Sequence, residues 1–274
     1  MSDQNGNGNS RRATTPISLS LPYQENQKLR RVAERIEKDE RLRGIWKCSN
    51  VMAIERLGYT DHGATHVKIV ANSALKILRI LSKSGVVPSI VKDYSMEEDD
   101  AEVVVVLGAL FHDAGMIVTR TDHELFGIAV AYSEIGRILE GVYPPYEVTV
   151  MLSEVMHTIV SHEEPHKPLS IEAGVVKVAD ALDMEKGRAR LPFEAGRVDI
   201  HSVSALSIEK VRIQEGTGAE KPVVIRITMS NSAGIFQIDE LLKPRIESSG
   251  LQKYIHVVAE VVGPEKKILE KFEF

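Results

Sequence analysis

The sequence predicts a mainly α protein: an all-helical domain followed by a small α+β domain of order β-β-α-β-β. Three observations predict it. From about Tyr23 to Arg190, apolar residues recur at helical spacing in one segment after another. After about Pro192 the period shortens to that of strands. Residues 1–20 are polar and Gly/Asn-rich without an apolar signal core, which predicts a disordered tail and no targeting peptide. The expected divisions are 1–20, a helical domain over 21–195 and an α+β domain over 196–274.

Residues 23–43, with Leu29, Val32 and Ile36 on one side, suit a single amphipathic helix. Trp46 and Cys48 follow on an apolar segment and are expected in the core. Asp61 is a candidate cap for a helix through Ser82, whose inward face carries Val67, Val70, Ala74, Ile77, Leu78 and Leu81; Gly85 terminates it. Ser95 and Glu98 form a capping-box pattern and open a helix over 96–113. The run Val103–Val106 alone would suggest a strand, so this helix is expected to be buried on all sides. Asp122 is a candidate cap for His123–Leu139. Pro144-Pro145 opens a helix to about His162, and Ser170 opens one ending near Gly187. Beyond Pro192, residues 205–214 and 222–230 alternate as strands around the polar stretch Glu215–Lys221; 239–249 reads as a helix, and 253–262 and 268–274 as strands.

Bulk composition narrows the function. Of 274 residues 43% are hydrophobic and 27% charged, as in an ordinary globular chain. A net charge of −5 argues against duplex nucleic acid, and the C-terminal domain has no basic bias. A small anionic substrate remains compatible if a metal supplies positive charge. The lone Cys48 excludes an intramolecular disulfide and a thiolate zinc site, and points to a reducing compartment, so a cytoplasmic location is expected. No apolar run is long enough to span a membrane.

Seven of nine histidines, His62, His66, His112, His123, His157, His162 and His166, fall in the helical region. His162 continues the stripe Val148, Leu152, Val155, Ile159 and therefore faces inward; His157, about 140° away, is the weaker ligand candidate. Asp180 lies among Val175, Val176, Val178 and Ala179, where a carboxylate is costly unless paired or metal-bound. His66 sits one turn before Val70, and His112 and Asp113 end the most apolar helix. Any one of these taken alone is more often a hydrogen-bonded core group. Inward polar groups on four otherwise apolar helices shift the reading toward a divalent transition-metal site.

The order of these residues resembles the HD superfamily of metal-dependent phosphohydrolases over roughly residues 45–190. The matching positions are His66 in DHGATHVKIV, His112-Asp113 in ALFHDAGM and Asp180 in VADALDMEKGR. Members with two metals carry two further histidines, for which His123 in DHELFG and His162 in TIVSHE are the candidates, with His157 as a replacement or supplement. The resemblance implies one or two divalent metals (Mn, Fe, Co, Ni, Zn or Mg), with Asp113 bridging, His66, His112 and Asp180 on the first and His123 and His162 on the second.

Metal-activated water would then cleave a phosphate ester or anhydride, with a nucleotide as the expected substrate. Arg188, Lys186 and Arg120 are candidate phosphate contacts. His62 is a candidate proton donor or substrate contact, and Asp183 a candidate general base or support for the ligands. After His162-Glu163 the chain lacks the Gly-Tyr-Pro signature of one cyclic-dinucleotide branch. Two other readings stay open: a di-iron oxygenase on the same scaffold and a non-catalytic nucleotide sensor. Strands such as VVIRITM are candidates for pairing at an edge, so a homodimer is expected.

Overall fold

A computed structural model describes residues 17–23, 25–188, 204–217, 221–262 and the backbone of 271–273. Within the described residues eight α-helices of six or more residues precede a four-stranded sheet. They are α1 (Gln27–Lys38), α2 (Glu40–Asn50), α3 (Ala64–Lys83), α4 (Ser89–Tyr94), α5 (Glu98–Phe111), α6 (His123–Leu139), α7 (Pro145–Ser161) and α8 (Ile171–Ala181). The sheet contains β1 (Ile208–Glu215), β2 (Val223–Met229), β3 (Ile255–Val261) and β4 (Lys271–Glu273). Between β2 and β3 lie a turn of α-helix Ile235–Gln237, a π-helical turn Ile238–Leu242 and α9 (Lys243–Ser248). The helical-then-α+β prediction therefore holds. No helix among the described residues is long and apolar enough to cross a membrane.

α5 is the axis of the helical part. Val103, Val104, Val105 and Val106 are all fully buried, because α3, α7 and α8 pack around it. Trp46 on α2 is buried against the C-terminal end of α5, its indole N–H donating to the Leu110 carbonyl at 3.0 Å. Cys48, expected in the core, is exposed.

Several boundaries depart from the sequence reading for local reasons. The expected helix over 23–43 is two helices. Asp39 breaks it, its carboxylate accepting from the Arg41 and Leu42 N–H groups as the N-cap of α2. Asp61 does not cap α3; it accepts from the Gly63 N–H at 2.6 Å, and Gly63 is the cap position. The capping box of α5 is Glu97 with Asp100; Ser95 is a left-handed residue ending α4. Asp122 precedes α6 but makes no side-chain cap. Pro145 at N1 of α7 and Ser170, bonded to the Ala173 N–H, open their helices as expected. α8 stops at Ala181, short of Gly187, and Arg188 lies beyond it on a separate turn. Leu19 is buried and its N–H donates to Glu37, so the expected tail does not extend to residue 20; residues 1–16 lie outside the described residues. The expected domain junction near 195 and His201 also lie outside them.

The sheet runs β1-β2-β3-β4, with β1/β2 and β3/β4 antiparallel and β2/β3 parallel. VVIRITM is β2, paired on both sides, so it offers no free edge to a second chain. The sheet is not a separate appendage. β1 is tied along α3 by Lys83–Glu215 at 2.6 Å, and its Val211 N–H donates to Glu185. On α8, a Cβ at Gly174 would lie 2.4 Å from the Ser249 carbonyl, so only glycine lets the chain after α9 come this close.

Candidate metal centre

The helix ends converge on one buried point. His112 follows the last residue of α5 and His162 the last residue of α7, where carbonyls lack intrahelical partners. Each imidazole uses one: His112 Nδ1 donates to Ala109 O at 2.7 Å and His162 Nδ1 to Ile159 O at 2.6 Å. His66, inward on α3, has its Nδ1 2.6 Å from Asp183 Oδ2. These bonds turn the Nε2 atoms toward the centre with lone pairs available once deprotonated, the usual way outer partners set a ligand's tautomer. His123 opens α6, with Nδ1 3.1 Å from the Arg120 carbonyl and 2.9 Å from its guanidinium. Only the bond to the carbonyl leaves Nε2 unprotonated.

Asp113 separates two half-cages. Its Oδ2 lies 3.1 Å from His112 Nε2 and 3.4 Å from His66 Nε2, while Asp180 Oδ1 is 3.3 Å from His66 Nε2 and 3.6 Å from His112 Nε2. Its Oδ1 lies 3.1 Å from His123 Nε2 and 3.9 Å from His162 Nε2. His123 and His162 approach at 3.2 Å between Nε2 atoms, and His66 and His112 at 3.1 Å. His66, His112, His123 and His162 are all buried, and Asp113 Oδ2 has no hydrogen-bond partner. Buried polar atoms are rarely left so. A nitrogen-and-carboxylate set with an orphaned inward oxygen fits divalent cations.

Without metal, protons and carboxylates hold the cage together. Burial and the Arg188 charge press His66 down, but Asp113, Asp180 and Asp183 outweigh them and hold it at about 9. Burial likewise opposes a charged His112, and the adjacent Asp113 raises it well above the ordinary histidine range. Burial would raise Asp113 and Asp180, yet the imidazoles keep both well below the usual carboxylate range. His162 is pushed well down by burial and by its neighbours His112 and His123. Below about pH 9, then, a cation must displace the His66 proton, so loading weakens as pH falls and releases protons at pH 7. Calorimetric metal titrations in buffers of different ionisation enthalpy measure this; uptake without proton release would contradict it.

The other predicted residues are placed as follows. His62 stacks obliquely near His66, 5.7 Å between centroids, and its Nδ1 donates to Thr60 O. Burial pushes it down to about 4, despite the opposing Asp113 charge, which favours the neutral imidazole over the proton donor expected from sequence. Asp183 Oδ2 is committed to His66, which makes it a support for a ligand. Arg188 donates from Nη1 to the Asp183 carbonyl at 2.9 Å, and its buried Nε, which makes no hydrogen bond, stands 3.7 Å from Asp183 Oδ2. Arg120 sits against His123 and 3.8 Å from Glu163. Two expectations are corrected. His157 lies outside the cluster, its Nε2 accepting from the Leu169 N–H at 2.9 Å, as its place on the other face of α7 allows. Lys186 points away to β1, paired with Glu209 at 2.5 Å.

Sequence reasoning missed Arg245. It reaches from α9 to donate to the His162 carbonyl and to Glu163 (3.1 Å), with Nη1 3.8 Å from Asp180 Oδ2. Gly115 is the other structural requirement: a Cβ there would lie 1.9 Å from the His123 carbonyl and 2.5 Å from the Gly127 nitrogen. Gly115→Ala must push the first turn of α6 away, destabilising the fold by about 1–3 kcal/mol. It is also expected to reduce metal content in the His123 half selectively. Elemental analysis of the folded variant checks this, and unchanged stoichiometry would refute it.

A helical bundle whose helix ends deliver an imidazole–carboxylate cage defines a helical protein with a candidate divalent-metal centre. The HD domain family model matches residues 63–185. The chain is 46% identical over 240 residues to the uncharacterized protein MJ1020 of Methanocaldococcus jannaschii, covering 88% of this chain and 92% of that protein. No solved structure matches significantly. The chain belongs to the HD domain family, a family of metal-dependent phosphohydrolases.

Proposed function

We propose that the protein hydrolyses a phosphate ester or anhydride of a nucleotide, using two divalent cations held by this cage. The observation that carries it is the division of Asp113: Oδ2 faces His66 and His112, while Oδ1 faces His123 and His162. His66, His112, Asp113 and Asp180 would hold one cation, and Asp113, His123 and His162 the other. When bound, such cations lower the pKa of coordinated water and draw charge from a phosphoryl oxygen.

The chain's own residues supply the rest. A cleft of about 730 Å³ opens beside His66 and Asp183 and is lined by Arg188. The Arg188 Nε, which makes no hydrogen bond and stands 3.7 Å from Asp183 Oδ2, is a donor suited to a phosphoryl oxygen. His62 Nε2 is positioned next to the cage to take up a proton. Asp183 holds His66 in register, and Arg120 bears on the orientation of His123.

Elemental analysis of purified protein, followed by a panel of nucleotides and chromogenic phosphate esters scored for release of phosphate or of the leaving group, tests the reading. About two transition-metal ions per chain and turnover of at least one phosphate ester are expected. Bound iron with oxygen consumption and no hydrolysis would replace it with an oxygenase. Full metal loading without turnover of any ester would favour a sensor.

A further inference from the structure

The cleft begins beside His66 and Asp183, at the edge of the metal cage, and extends along α3. His66, Ile69, Ser73 and Lys76 follow one another along one side of α3 and all line it, so at 1.5 Å per residue it runs about 15 Å from His66 to Lys76. The opposite wall is β1, contributing Lys210, Arg212 and Gln214, which alternate onto one side of the strand. The two walls differ along their length. Near the cage the charged groups already have partners: Lys210 pairs with Glu185 at 3.4 Å, and the Asp61 carboxylate accepts from the Gly63 N–H. In the middle Ile69 is 39% exposed, an apolar patch on the floor. At the far end Lys76 and Arg212 are exposed, and neither has an ion-pair or hydrogen-bond partner among the described residues.

We propose that Lys76 and Arg212 form a distal phosphate subsite, so that the substrate carries a second phosphate about 15 Å from the one cleaved. The occupant is a nucleotide chain three residues long, because two adjacent phosphates of such a chain stand too close together to span the cleft. Its reacting phosphate lies at the cage by Arg188, an uncharged sugar or base lies over Ile69, and a terminal phosphate lies between Lys76 and Arg212. A mononucleotide would leave the far cations unused. The overall charge of −5 sets the local pair apart from a general nucleic-acid surface, and Arg212, from the α+β part, gives that part a role in substrate choice.

This rests on the hydrolase reading, and the test separates the two. Protein loaded with manganese is assayed with bis(p-nitrophenyl) phosphate, which is too short to reach the far end. Competing 5′-phosphorylated oligothymidylates of one to four residues supply inhibition constants, and calorimetry on the same loaded protein supplies binding directly. Inhibition is expected to strengthen about tenfold between one and three residues, the worth of one charge-assisted hydrogen bond. The double variant Lys76→Glu/Arg212→Glu is expected to lose that gain while its KM for the short diester stays within about twofold, and raised salt is expected to mimic the loss. Length-independent binding, or a double variant that keeps the gain, would overturn the subsite. Absent turnover of every ester would overturn the hydrolase reading instead, and the calorimetric length series would still decide the subsite.

Discussion

Asp113→Asn is expected to empty the cage of metal and abolish turnover. The substitution keeps the size of the side chain but removes its charge and one of its two ligand oxygens. Since Oδ2 faces one pair of imidazoles and Oδ1 the other, one half-cage loses its oxygen donor and the other keeps only a neutral amide oxygen. Removing a group that merely orients a ligand costs roughly 10–100-fold in metal affinity; a shared ligand should cost more than about 100-fold at each position. His162→Ala, by contrast, strips only the half-cage of His123 and should leave about one metal per chain.

The metal-free protein reports on the same residue. There the Asp113 charge is the neighbour that raises His112, so the variant leaves imidazolium groups buried without their main counter-charge. Breaking a buried pair in this way costs about 3–5 kcal/mol when the remaining charge cannot be shed. His66 and His112 can shed protons, so the loss should be smaller. His66 carries a raised pKa of about 9, so its share of stability is fully present below its unfolded value and fades as pH rises toward 9. The stability gap between variant and parent, measured by denaturant unfolding of apo protein, should therefore narrow from pH 6 to pH 9.5. Full metal content or full activity in Asp113→Asn would remove the central role given to this residue.

What the sequence made legible follows from periodicity. His162 could be placed because Val148, Leu152, Val155 and Ile159 point its face inward, and the same test set His157 aside as weaker. The burial of α5 followed from a run of valines too long and too continuous for a surface helix. Short-range capping was less legible. Asp39, Asp61 and Asp122 are the same residue type in similar polar settings. One caps a helix, one braces the residue before a helix, and one precedes a helix without capping it. Only backbone geometry separates these uses. Lys186 and Arg188 differ by two residues, and α8 ending at Ala181 sends one to Glu209 and the other to Asp183. Arg245 could not be read at all. Beside Pro244 in a polar helix it resembles a solvated surface charge, and only the docking of α9 carries it to the cage.

Arg245→Ala is expected to lower activity about 10–100-fold while leaving every metal ligand in place. The guanidinium donates to the His162 carbonyl and to Glu163, and it stands 3.8 Å from Asp180 Oδ2. Asp180 presents Oδ1 to His66 and His112, so a cation on the Oδ2 side favours a one-oxygen contact with the cage. Burial works against the charge of Arg245, but Asp180 and Glu163 outweigh it and hold the group charged. The residue thus positions ligands of both half-cages from a part of the chain outside the helical bundle. Its removal should cost about 1.5–3 kcal/mol of stability, the range for a charge-assisted hydrogen bond. A purely structural role would lower the melting temperature yet leave metal affinity unchanged well below it. The positioning role predicts weaker metal binding and a lower kcat at temperatures where the variant is fully folded. Arg245→Lys keeps the charge but cannot span the His162 carbonyl and Glu163 with one planar fork, so it should recover part of the stability and little of the kcat. Full recovery of kcat by lysine would reduce the role of Arg245 to charge alone.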